Sequence, residues 1–216
     1  MNTGLLQLVA DCVSDQNRGP VTGVVIGIVT NNSDPDGLGR VKVKFPWLSD
    51  TDESFWARIA VPMAGNDRGL FFLPEIDDEV LVIFELGDVR FPYVIGALWN
   101  GKDKAPADNA DGKNNVRLIK SRSGHTIKLN DEDGAETIEI IDANGTNTIV
   151  IDTANDTITV SADRDIKLSA PNGKISLDAQ SLELTSSQDT KIKSGSAMNV
   201  EASATLTVKG ATVNIN

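Results

Sequence analysis

From residue 126 onward the chain repeats one small pattern of apolar and polar positions. Two aliphatic side chains stand two residues apart, a polar residue lies between them, and a short polar stretch leads to the next pair. The pairs are Ile127/Leu129, Ile138/Ile140, Ile149/Ile151, Ile158/Val160, Ile166/Leu168, Ile175/Leu177 and Leu182/Leu184, then Thr190/Ile192, Met198/Val200, Leu206/Val208 and Val213/Ile215. First members are separated by 11, 11, 9, 8, 9, 7, 8, 8, 8 and 7 residues. An i, i+2 spacing puts both members on one face of a strand. The intervening Asn, Asp, Gly and Ser turn the chain. A repeat of this kind predicts stacked short strands rather than a domain with one central core.

The energetics of the repeat favour a shared architecture. Two buried aliphatics contribute roughly 3–6 kcal/mol, whereas ordering eight residues costs about 8–16 kcal/mol in backbone entropy. Ladder hydrogen bonds must run through every repeat, and something must cover each apolar face. Single-chain solenoids fill their interiors with longer rungs. Two aliphatics per repeat suffice if three chains line one narrow axis, so the pattern predicts an intertwined, trimeric β-helix with few free edges. The side chains predicted to line that axis are Ile127, Leu129, Ile138, Ile140, Ile149, Ile151, Ile158, Val160, Ile166, Leu168, Ile175, Leu177, Leu182, Leu184, Ile192, Met198, Val200, Leu206, Val208, Val213 and Ile215.

The pattern before residue 100 is different. VTGVVIGIVT (21–30), GRVKVKFPW (39–47), FWARIAV (55–61), EVLVIFE (79–85) and PYVIGAL (92–98) are β-branched or aromatic runs bounded by turn residues. In the second run Val41, Val43 and Phe45 share one face and Lys42 and Lys44 the other. Asp34-Pro35-Asp36-Gly37 reads as a turn. Five short strands in this span predict a small closed barrel of the OB type. Composition marks the same division, because all ten Phe, Tyr and Trp residues and seven of eight prolines lie before residue 107. The fold class is therefore all-β: a barrel over 20–100, a polar linker over 101–115 and a β-helical needle over 116–216. Residues 1–19, with Leu5, Leu6, Val9, Cys12 and Val13 at roughly helical spacing, read as a short docking segment.

Charge and candidate chemistry narrow the function. A net charge of −11 disfavours a general nucleic-acid binder. One cysteine and one histidine exclude a disulfide framework and a multi-histidine metal site within one chain. The N-terminus lacks a basic n-region, which predicts synthesis in the cytoplasm without a signal peptide. Asp131, Asp133 and Gly134 suggest a calcium loop, but the first and twelfth positions of that frame are Leu129 and Ile140, which cannot ligate. Asp142, Asn144, Gly145, Asp152, Asn155 and Asp156 read as turn formers. His125 reads as a packing or hydrogen-bonding residue, though three copies around an axis could share an ion. Arg40, Lys42 and Lys44 on an OB barrel raise a single-strand or glycan binding module as the alternative function, but Phe45 and Trp47 fit a core or a protein interface better. Ser123-Gly124-His125 places a hydroxyl near an imidazole without forming a triad. Neither a catalytic site nor a cofactor is expected.

Several of these strings, taken in order, carry a family resemblance. DPDGLGRVKVKFPW (34–47), FWARIAVPMAG (55–65), FFLPEIDDEVLVIFELGD (71–88) and RFPYVIGALWN (90–100) resemble the OB module of contractile-tail spikes. That group includes phage baseplate assembly protein V and the VgrG proteins of type VI secretion. SRSGHTIKLNDEDGAETIEI (121–140) is similar to the opening of their β-helical needles. The resemblance implies a homotrimeric spike, barrel on the tail hub, whose needle pierces the target cell envelope when the sheath contracts. It places the protein in a virion tail baseplate or a contractile injection particle. Three departures matter. Only about 20 residues precede the barrel, which implies a separate hub protein as platform. The linker leaves no room for an inserted lysozyme domain. The ending KGATVNIN lacks the His-X-His tip motif of some phage spikes, which implies a blunt end capped by a separate PAAR-like protein.

Overall fold

The computed structural model describes residues 20–48 and 51–215, and the expected docking segment with Cys12 lies outside them. The described residues form no α-helix; the only helical element is a 3-10 turn at Glu85–Gly87. Two compact units are present, one running through Arg164 and the other from Asp165 onward.

The first unit begins with the barrel. Its strands are β1 (Val25–Asn31), β2 (Lys42–Lys44), β3 (Arg58–Ile59), β4 (Ala64–Gly65), β5 (Arg68–Gly69), β6 (Glu79–Phe84) and β7 (Pro92–Ala97). The main sheet has the order β2-β1-β6-β7-β3, antiparallel except for the parallel β3–β7 pair. Its two ends meet where Val41 and Ala57 exchange backbone hydrogen bonds of 3.0 and 2.7 Å. That contact curls the sheet back on itself, as the barrel prediction requires.

Alternation along the strands decides what fills the interior. Val80, Val82 and Phe84 of β6 point inward, joined by Val29, Val41, Val43, Phe45, Ala57 and Val94. Phe45 and Phe84 pack edge to face with ring centres 5.5 Å apart. Gly27 faces this core: a Cβ there would stand 3.3 Å from Phe45, Val43 and Val82, so these side chains would have to give by a few tenths of an ångström to admit one. The buried Ser54 hydroxyl accepts from the Val43 amide at 3.1 Å and donates to the Phe55 carbonyl at 2.6 Å.

Two local features differ from the sequence reading. The run 55–61 contributes only Arg58–Ile59 as a strand, because this segment bridges to Val41 at Ala57 and then switches to β7. The hairpin β4–β5 was not anticipated, since Ala64-Gly65-Asn66-Asp67-Arg68-Gly69 offers turn residues without apolar alternation.

After a polar stretch without strands, the chain forms β8 (Val116–Lys120), β9 (Thr126–Asn130), β10 (Thr137–Ile141), β11 (Thr148–Asp152) and β12 (Thr157–Ser161). These make an antiparallel meander in which each strand pairs with its sequence neighbour. The first four predicted pairs are therefore rungs of an intrachain sheet. In the second unit, described from Asp165 to Ile215, no strand pairs within the chain and nearly every residue is exposed.

Candidate assembly surface

The turns of the meander set its register. Asp142 Oδ1 accepts from the amides of Thr146 and Asn147, and Oδ2 from the Asn147 side chain at 2.6 Å. Asp152 holds Asn155 in the same manner, with Oδ1 taking its amide and Oδ2 its side chain. These bonds hold both carboxyls below the ordinary carboxylate range, against the opposing effect of desolvation. Gly145 and Asp156 take positive φ, as the hairpins demand. Asp131, half of the rejected calcium loop, pairs with Arg117. His125 Nδ1 accepts the Ala143 amide at 3.1 Å, tying the turn before β9 to the turn after β10.

With register fixed, the aliphatics fall into two rows that cross the sheet. Ile119, Ile127, Ile140, Ile149 and Val160 are directly opposite one another in sequence along one row. Leu129, Ile138, Ile151 and Ile158 form the other. The reverse face carries threonines, the Lys128–Glu139 ion pair at 3.3 Å and the aliphatics Leu118, Ile141 and Val150. A hydrogen bond from Thr137 at 2.7 Å, reinforced by Lys128, keeps Glu139 below its ordinary pKa. The apolar rows are the more exposed face, at 38–71% for these nine side chains, whereas Thr126, Thr137 and Thr148 are half-buried. At those exposures the rows leave on the order of 800 Å² of apolar surface, the share one partner contributes to a standard interface. The largest apolar patch of a typical monomer is only about 300–600 Å². In the second unit Ile166, Leu168, Ile175, Leu177, Leu182, Leu184, Ile192, Met198, Val200, Leu206, Val208, Val213 and Ile215 are likewise exposed.

Charged groups on the barrel are largely engaged. Arg40 forks onto Asp34 at 2.8 and 2.7 Å and reaches Asp36 at 2.6 Å. Lys42 pairs with Glu53 at 3.0 Å, and both cations lie over the Trp56 ring. Phosphates would have to compete with these carboxylates for Arg40 and Lys42. Arg122 joins the meander to the barrel through both oxygens of Glu75 at 3.0 Å.

Arg40 holds the Asp34 carboxyl far below its ordinary value of 3.8, aided by the amides of Asp36, Leu38 and Arg40. A depressed folded pKa stabilises the fold above the unfolded pKa and is lost as pH falls through the folded one. Asp34→Asn should therefore lower the melting temperature at neutral pH. The loss should shrink as pH falls below 3.8. Melting curves at pH steps across the acid range provide the check, and a pH-independent loss would contradict the assignment.

The barrel's identity rests on its sequence. Residues 25–99 match the family described as the type VI secretion system/phage-baseplate injector OB domain. Over that stretch the chain is similar to injector OB domains and to the spike proteins named VgrG. It is 33% identical over 111 residues to the type VI secretion system spike protein VgrG3 of Vibrio cholerae, covering 50% of this chain and 11% of that protein. It is 37% identical over 93 residues to the spike protein VgrG1a of Pseudomonas aeruginosa, covering 41% and 14%. With VgrG2a of the same organism it shares 34% over 99 residues, covering 44% and 12%. The matched stretch thus spans little more than a tenth of these relatives, and the apolar rows of the meander are this chain's own guide to what lies beyond the injector OB domain.

Proposed function

We propose that this protein is the structural spike at the centre of a contractile phage baseplate or related injection apparatus. The observation that carries this reading is the pair of exposed aliphatic rows on β8–β12, whose spacing continues through residues 166–215, where no strand pairs within the chain. Backbone amides and carbonyls cannot stay unpaired in a rigid element. Nor can aliphatics at this density build a core from one chain. Three copies satisfy both demands by closing the apolar faces on a common axis and pairing strands between chains. The aliphatics from Ile127 to Ile215 then line that axis.

In this reading residues 20–100 form the mounting barrel, 101–115 the linker and 116–216 the needle. The barrel sits on a trimeric tail hub, and a PAAR-like protein caps the needle. The assembly belongs to a baseplate or injection particle and acts on the envelope of a target cell. Its role is mechanical rather than enzymatic. A closed β-rod transmits thrust because bending it must break interchain ladders together. The VgrG relatives are spike proteins by name, which supports the same reading.

The test is the mass of the full chain in solution. Sedimentation equilibrium at micromolar concentration should give three times the chain mass, insensitive to dilution. A stable monomer would refute the proposal.

A further inference from the structure

A second apolar surface lies on the barrel and adjoins one aliphatic row, because Phe72 lines a pocket with Ile119, Ile127, Ile140, Ile149 and Val160. Leu38, Met63, Leu70, Phe71 and Phe72 line one face of an open groove of about 650 Å³ around the β4–β5 hairpin. Phe71 is 77% exposed, and the five side chains together leave on the order of 600 Å² of apolar surface, the upper limit for a patch without a partner. Arg68 stands in this groove. Its guanidinium lies back over Gly65, where a Cβ would come within 2.6 Å of Nε. The guanidinium has no ion pair or hydrogen bond among the described residues, in a chain with an 11-charge acidic excess. An apolar groove with an unpaired arginine calls for an apolar side chain next to a carboxylate.

The chain itself carries such a segment. The turn Glu75-Ile76-Asp77-Asp78 presents Ile76 at 55% exposure, a large apolar side chain set among carboxylates. Backbone bonds fix the turn: the Asp77 amide donates to Val29 at 2.9 Å and Asp78 to Glu75 at 3.2 Å. Asp77 is held at φ 75°. Glu75 is committed to Arg122, and Asp78 Oδ2 accepts the Glu75 amide. The Asp77 carboxylate has no ionic partner among the described residues, like Arg68.

We infer that the groove of each barrel receives the 75–78 turn of the next copy, Ile76 entering beside Phe71 and Asp77 meeting Arg68. Knob and hole are different patches of one protomer, so the contact is heterologous and closes into a ring when three copies go round. The inference rests on the trimeric reading and adds a second ring of contacts at the barrels. It gives the acidic turn and the aromatic groove a joint role: they hold three barrels in fixed orientation at the base of the needle.

Paired cysteines test it. In a Cys12→Ser background, Arg68→Cys with Asp77→Cys should give covalently linked dimers and trimers with a short bis-maleimide, because an Arg–Asp ion pair holds its Cα atoms further apart than a direct disulfide spans. Either cysteine alone should give no ladder that reaches trimer. If mass measurement shows a trimer but the double variant links only within a chain, stops at dimers or does not link, the ring is overturned and the needle trimer stands. If the chain is a monomer, both fail. A second measurement uses charge. Arg68→Glu and Asp77→Arg should each lower the tryptophan-detected melting midpoint of the trimer, and the combined swap should restore it. Without that recovery the pairing is wrong.

Discussion

Ile140→Asp is expected to convert the trimer to a monomer. Ile140 stands mid-row, directly opposite Ile127 on one side and Ile149 on the other. In the assembled needle each copy would lose roughly 2–3 kcal/mol of apolar burial, and three carboxylates would meet in a space without water. Leaving a charge unpaired in such a place costs about 3–5 kcal/mol. Summed over three copies, the penalty is on the order of 15 kcal/mol, a shift of roughly ten decades in association at about 1.4 kcal/mol per decade. Thr159→Asp provides the control, because Thr159 faces the other way, opposite Val150. It should sediment as the parent protein does. If Ile140→Asp remained a trimer as resistant to dilution as the parent protein, the apolar rows could not be the axis.

The second large effect is expected at Phe45. Nine residues make up the buried core of the barrel, and Phe45 is one of only two aromatics among them. Removing its ring should cost about 3–5 kcal/mol out of the 5–15 kcal/mol that holds a typical domain together. Phe45→Leu, which keeps most of the volume, should cost markedly less. The readout is specific because Trp47, Trp56 and Trp99 are the only tryptophans and all belong to the barrel half of the chain. Trp47 lies 6.1 Å from Phe45, ring centre to ring centre. Tryptophan fluorescence during denaturant unfolding should show an earlier barrel transition in Phe45→Ala. An unchanged midpoint would show that the described core does not hold the barrel.

The barrel was legible in the sequence because its strands alternate cleanly: Val41, Val43 and Phe45 are buried as the spacing predicts, and Lys42 and Lys44 lie on the other face. The turn at Asp34 was legible too, and the structure adds the Arg40 fork that fixes it. The β4–β5 hairpin and its groove were not, since Gly65 and Gly69 carry no pattern and Leu38 reaches the groove only through the folded chain. No local signal marks Arg68 as unpaired, because that depends on where every carboxylate lies in space.

The i, i+2 repeat by itself determined that the C-terminal half is made of short strands with one apolar face, because side-chain direction alternates along any extended chain. The tertiary structure decided which aliphatics stand opposite one another. Ile140 meets Ile127 and Ile149 only because turns such as Asp142–Asn147 set the register, and a slip of one residue would send the aliphatics of both rows to the threonine face. It also decided that β8–β12 form a sheet within the chain while residues from Asp165 onward do not. Spacing says which side of a strand is apolar. Only the paired backbone says which strand lies beside it.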